Sequence, residues 1–303
     1  MRVAIKKGTE DNNVFSGYSG SDKTEEKRSV EVLSSGNLEK AIESLDYLME
    51  NNYKTLGVSI NYDDLILTPI EISTLVGISH SHKENPFFNN NFSEFFNRLI
   101  KVSYKAGNNN FNLDLTETPF ICEIVKNFKA EKERPLKLNI IGELGSRSCK
   151  YSSNIDLNVI GVVGYDFGKY SIDINLTVEG KVKNNFGNSS KGLIVKVNGS
   201  VGTNFGEKSK HLTTVIKGSV DAGFGFESSD MIASIYGNIP SFILLNANNS
   251  IIFAQDKARI STNLSDNYLQ SLNSRGNQII SGERVLTHSK YKQLQRIIER
   301  EYQ

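Results

Sequence analysis

The chain has 303 residues, of which 38% are hydrophobic and 23% charged, and its formal net charge is +1. These values are typical of a globular protein that buries its core in one large domain or in two domains of common size. Because 35 Lys and Arg face 34 Asp and Glu, no overall field attracts a polyanion, and we expect neither nucleic acid nor a membrane surface as a partner.

Targeting signals and cysteines add little. The first residues lack an uninterrupted apolar run, and no later stretch reaches the roughly 18 apolar residues that span a bilayer. We therefore expect a cytoplasmic protein. Cys122 and Cys149 are too few for a disulfide framework or a four-ligand zinc site, so we expect incidental thiols.

Residues 1–135 are predicted to form a small α+β domain. The predicted strands are Met1–Lys7 and Thr55–Tyr62, and the predicted helices with apolar residues at helical spacing are Asn37–Asn52, Ser93–Tyr104 and Thr116–Phe128. Another helix is predicted to begin at Thr68, because Pro69 follows it at the first helical position and Glu71 at the third. Ser93 is the expected N-cap of its helix.

One cluster in this domain could carry chemistry. His80 and His82 are two residues apart, and Asp63 and Asp64 precede them, which is a set that suggests a 2-His-1-carboxylate metal site or an acid/base pair. The spacing places no third ligand, and we prefer a solvated loop after a helix as the explanation of the two histidines.

The charged segment Lys129–Lys137, which contains Pro135, is the predicted domain boundary. We assign residues 136–255 to a second domain and residues 256–303 to a helical C-terminal extension. The amphipathic stretch Arg284–Tyr302 is expected to pack its apolar side on that second domain.

The second domain is organised by an internal repeat. Glycines recur at a constant step of 19 residues: Gly142, Gly161, Gly180, Gly199, Gly218 and Gly237. Four Phe-Gly pairs keep the same step: Phe167-Gly168, Phe186-Gly187, Phe205-Gly206 and Phe224-Gly225. The late part of each unit alternates apolar and polar residues, which is the periodicity of a β-strand.

A 19-residue unit with one such strand buries its apolar face only by stacking on its neighbours. We therefore predict a mainly β fold containing a right-handed parallel β-helix of six coils. Phe is expected to form an interior ladder, and Gly to occupy corners with positive φ or close backbone approach. In the first and last units the Phe column reads Ser148 and Ile243, as expected of capping coils.

The G-x-x-G-x-x-x-G segments Gly161–Gly168 and Gly199–Gly206 resemble the GXGXG-type β-helix at the C-terminal end of the glutamate synthase large subunit. They are equally similar to the β-helical subunit of formylmethanofuran dehydrogenase. The resemblance covers residues 141–240. In both systems the β-helix bears other domains or subunits, so the resemblance implies a structural role and transfers no catalytic residues.

The leading expectation is thus a non-catalytic scaffold, without cofactor or metal, that binds a protein partner or a second copy of itself. One alternative is an enzyme whose site includes Asp63, Asp64, His80 and His82. The other is a polymerising β-solenoid of the bactofilin kind.

Overall fold

The computed structural model describes residues 36–50, 60–86, 88–118, 121–255 and 275–281. Its helices are α1 (Gly36–Glu50), α2 (Pro69–Ser79) and α3 (Phe88–Lys105), with 3-10 turns at Tyr62–Asp64 and His80–His82. Its strands are β1 (Asn110–Leu115), β2 (Leu136–Leu144), β3 (Ser153–Val163), β4 (Ile172–Val182), β5 (Ile194–Val197), β6 (Thr213–Ile216), β7 (Ile232–Ile235), β8 (Ile251–Ala254) and β9 (Gln278–Ser281).

The nine strands form one parallel sheet whose spatial order is the chain order, β1 to β9. From β2 to β8 the pairing advances by 19 residues at every step, as in Leu136 with Ile155 and Ile232 with Ile251. This register confirms the predicted mainly β fold, a parallel β-solenoid of about six turns. The two end steps are longer, since Asn110 pairs with Lys137 and Ile251 with Gln278.

The turns between strands follow an unusual but regular backbone path. From the second turn onward, four residues at fixed positions of each turn have positive φ, for example Asp166, Gly168, Tyr170 and Asp173. The N–H groups along this path bond in alternating directions: that of Asp166 donates forward to Asn184 O at 3.1 Å, and that of Gly168 donates back to Ser148 O at 2.9 Å. Positive φ costs a residue other than Gly about 1–2 kcal/mol, and these bonds between coils offset that cost.

The solenoid interior is built from side-chain columns with the same 19-residue step. The Phe rings stack nearly parallel, with centroids 5.3 Å apart for Phe167 and Phe186, 4.7 Å for Phe186 and Phe205, and 5.5 Å for Phe205 and Phe224. A serine column lies beside them, and each Oγ donates to the carbonyl three residues earlier. Its members with this bond are Ser171, Ser190, Ser209 and Ser228.

The three helices pack at the β1 end of the solenoid. α1 buries Leu38, Ala41, Leu45 and Leu48, and α2 packs against β1. The predicted start of α2 is confirmed, because Thr68 Oγ1 accepts the Glu71 N–H at 3.3 Å and Glu71 Oε2 accepts the Thr68 N–H at 2.8 Å. One cluster of buried apolar residues extends from Leu38 to Ala254. The proposed boundary after residue 135 lies between β1 and β2, which pair with each other, and the division into domains stays a prediction.

Several predicted elements differ from the structure. The helix predicted at Ser93–Tyr104 begins at Phe88, and Ser93 is an interior residue whose Oγ donates to Asn89 O at 2.6 Å. The helix predicted at Thr116–Phe128 is wrong, since Glu123, Val125 and Asn127 have positive φ and form the first solenoid turn.

The strand predicted at Thr55–Tyr62 lies mostly outside the described residues, and its last residue belongs to a 3-10 turn. The predictions for Met1–Lys7 and Arg284–Tyr302 lie wholly outside them. None of the helices in the described ranges has the length and apolar character needed to cross a bilayer.

Candidate functional site

The repeated glycines lie where successive coils come closest. A Cβ placed on Gly161 would lie well inside van der Waals contact of the Gly142 carbonyl oxygen, and one on Gly180 would meet Gly161 in the same way. The same crowding holds at Gly199, Gly218 and Gly237. These glycines and the stacked Phe column are therefore structural, and the functional surface has to be sought outside these two sets of residues.

The His and Asp cluster predicted as an alternative site is divided among different partners. His82 Nε2 lies 2.9 Å from Asp46 Oδ1 on α1, and His80 Nδ1 contacts the carbonyl of Glu117. Asp64 accepts a hydrogen bond from Asn61 at 2.6 Å. Among the described residues no group of three or more His, Cys, Asp or Glu could hold a metal ion.

The two cysteines differ in environment. Cys149 is fully buried, and burial raises the pKa of its thiol because the thiolate loses its hydration. Cys122 is half-buried and lines a cleft between α3 and the first solenoid turn.

That cleft is the candidate functional site, with a cavity volume of about 730 Å³. Helix α3 forms one wall, and the turn at residues 122–128 together with Arg147 forms the other. Five cationic side chains line it against two carboxylates: Arg98, Lys101, Lys105, Lys126 and Arg147 against Glu94 and Glu123. The net charge of the whole chain is close to zero, so this excess is local.

Part of the positive charge is neutralised inside the cleft. Arg98 Nε lies 2.8 Å from Glu94 Oε1, and Glu123 is shared between Lys126 at 2.9 Å and Arg147 at 3.1 Å. Lys101 and Lys105 are exposed and form no ion pair with the described part of the chain. The cleft can therefore attract and hold an anionic group.

A second surface adjoins the cleft on the following coils. Tyr151, Tyr165 and Tyr170 are 42%, 46% and 42% exposed, and we call them the tyrosine patch. The rings of Tyr151 and Tyr170 stack with centroids 5.0 Å apart and planes 9° apart. Lys150 Nζ and Lys169 Nζ lie 5.1 and 5.4 Å from the ring centroids of Tyr151 and Tyr170, respectively. Exposed aromatic groups held rigidly in this way are typical of protein interfaces.

Neither surface is predicted by the sequence patterns described above. The tyrosine patch has a signal in the sequence, since Tyr151 and Tyr170 are one 19-residue step apart. The cleft had none, because its two walls come from separate stretches of the chain. Comparisons with models of known protein families, with curated proteins and with solved structures found no match.

Proposed function

We propose that the protein is a non-catalytic scaffold that presents the tyrosine patch and the adjoining cleft to a protein partner in a cytoplasmic complex. The observation that carries the proposal is the exposed Tyr151–Tyr170 stack on a rigid solenoid. Tyr is enriched at binding hot spots because it offers a large contact area at a small cost in side-chain entropy.

The packing at the β1 end of the solenoid also supports a discrete scaffold. Helix α2 lies against β1, so the first strand of the solenoid does not present a free face at that side for stacking of another copy. This arrangement favours a scaffold over the end-to-end polymer of a bactofilin-like solenoid.

The resemblance of residues 141–240 to the GXGXG-type β-helix agrees with the same role. In glutamate synthase and formylmethanofuran dehydrogenase that β-helix bears other domains or subunits. A complex related to one of these two is the setting that we propose for the present chain.

The test is affinity purification of the tagged full-length chain from its own cells. The variant Tyr151→Ser plus Tyr170→Ser removes the stack, and Ser fits this turn because Ser189 occupies the same column in the next coil. The control is Ile160→Asn, which replaces a 55% exposed apolar side chain by the residue found at the equivalent position, Asn198.

We expect a stoichiometric protein to co-purify with the wild-type chain and with the control, and to be lost from the tyrosine variant. A wild-type chain that elutes as a free monomer without a stoichiometric partner would overturn the proposal.

A further inference from the structure

We infer that the cleft binds an extended acidic segment of the partner protein, an inference that rests on the proposed scaffold function. Its first support is charge complementarity. Two exposed lysines on one helix, Lys101 and Lys105, lack a carboxylate partner among the described residues, and Arg147 faces them from the solenoid wall. A run of carboxylates would be attracted to these cations.

Helix spacing selects the kind of anion. Residues four apart on a helix are separated by about 6 Å along its axis, which is the separation of Lys101 from Lys105. In an extended chain every second side chain is on the same face, at a spacing of about 6.6–6.8 Å. A segment with a carboxylate at alternate positions therefore matches the two lysines.

The solenoid wall supplies acceptors for the main chain of such a segment. Between the first two turns, Ser146 O accepts the Glu123 N–H at 2.8 Å and Lys150 O accepts the Asn127 N–H at 2.9 Å. By the same register Cys122 and Lys126 are the equivalents of Ser146 and Lys150 one coil earlier, and both line the cleft.

The carbonyl groups of Cys122 and Lys126 accept no hydrogen bond from the part of the chain that the structure describes. Their register directs them away from the second turn and toward the cleft. A peptide offers N–H donors for these two carbonyls together with its carboxylates, whereas a free phosphate ion or a polyphosphate offers no comparable row of donors.

The test uses the full-length protein and a fluorescein-labelled decapeptide of alternating Glu and Ser, with a decapeptide of alternating Gln and Ser as its uncharged match. The cleft variant is Lys101→Glu plus Lys105→Glu. The control is Lys191→Glu plus Lys210→Glu, which makes the same change of charge at two exposed lysines of the solenoid.

We expect fluorescence anisotropy to show binding of the Glu peptide that weakens with added salt. The cleft variant should lose at least about tenfold in affinity, and the control should stay within about twofold of the wild type. The Glu peptide should also slow the reaction of Cys122 with a thiol reagent, because Cys122 lines the cleft.

Equal losses in the two double variants would overturn the inference, since they would show attraction by overall charge alone. Displacement of the peptide by a ten-nucleotide oligothymidylate or by tripolyphosphate at lower concentration than unlabelled peptide would also overturn it. If the Glu peptide does not bind while a partner is still captured through the tyrosine patch, the inference about the cleft is overturned and the scaffold function is not. A chain with no partner at all would instead remove the scaffold function.

Discussion

Asn97 on α3 holds Val125 in the first solenoid turn, because its Oδ1 accepts the Val125 N–H at 2.5 Å. In the next two turns a carbonyl of the preceding coil takes that place: Ile124 O accepts the Cys149 N–H, and Ser148 O accepts the Gly168 N–H. The amide of Asn97 also donates to Glu123 O at 2.8 Å. The Asn97 side chain thus makes hydrogen bonds to the first turn in place of a preceding coil, and it fixes the wall of the cleft.

Replacing this amide should destabilise the protein. Asn97→Ala leaves the N–H of the buried Val125 without an acceptor, which should lower the free energy of unfolding by about 1–3 kcal/mol. Urea unfolding measures the change. Asn90→Ala, on the exposed side of the same helix, is the control and should change stability by less than about 0.5 kcal/mol. Equal effects of the two substitutions would show that Asn97 does not cap the turn.

Two glycines of the same coil should respond differently to alanine. At Gly168, φ is +64° and the nearest atom to an added Cβ is Ser171 Oγ at 3.3 Å, so Gly168→Ala should cost about 1–2 kcal/mol of backbone strain. At Gly161 the added Cβ meets the backbone of Gly142, which cannot move without opening the sheet. Gly161→Ala should cost more than about 4 kcal/mol or prevent folding. Soluble yield and urea unfolding compare them, and similar losses would contradict the close packing of coils.

The Phe stack should contribute cooperatively to stability. Phe186 is fully buried between the rings of Phe167 and Phe205, so Phe186→Ala should cost about 3–5 kcal/mol. A double-mutant cycle of Phe186→Leu and Phe205→Leu should give a coupling of about 0.5–1.5 kcal/mol. A coupling near zero would mean that the rings fill space without interacting.

The two thiols should react at different rates. Burial raises the pKa of Cys149, so its thiolate, the reactive form, stays scarce at pH 8 and is also inaccessible. Cys122 lines the cleft and is half-buried. Mass spectrometry after brief treatment with a thiol reagent should find one label on the native protein, at Cys122, and two after unfolding in guanidinium. Equal labelling of both residues in the native protein would place Cys149 outside the core.

The solenoid could be predicted from the sequence because the pairing register of its strands corresponds to a constant 19-residue interval between repeated residues. The Gly and Phe columns repeat one residue type at 19-residue intervals over several coils, and stacking is the arrangement that buries such columns. The serine column keeps the same 19-residue step in the sequence, as at Ser171 and Ser190. Small polar residues do not by themselves predict burial, and the structure shows that these two donate hydrogen bonds to backbone carbonyls.

The sequence of the first turn predicts a helix for a physical reason. Ile121, Ile124, Val125 and Phe128 have helical spacing, yet all four are buried by the alternating backbone path of a solenoid turn. Hydrogen bonds to the next coil and to Asn97 decide between the two, and these depend on tertiary contacts. The sequence predicts too late a start for α3 for a similar reason, because the side chain of Asn91 is buried and donates to Leu48 O at 2.8 Å.

The cleft and its local positive charge could not be predicted from composition. Overall charge near zero argued against anionic partners, whereas folding gathers five cationic side chains from α3 and the first two turns around one cavity. Only the packing of α3 against the solenoid creates that local excess.

The most direct test of the proposed scaffold function is site-specific photo-crosslinking in the native cells. Benzoyl-phenylalanine replaces Tyr170 in one variant and Ile160, ten residues earlier in a 19-residue coil, in the other. Illumination should join position 170 to a single partner protein and leave position 160 without a product. Crosslinks of equal yield from both positions, or none from position 170, would contradict a partner-binding role of the tyrosine patch.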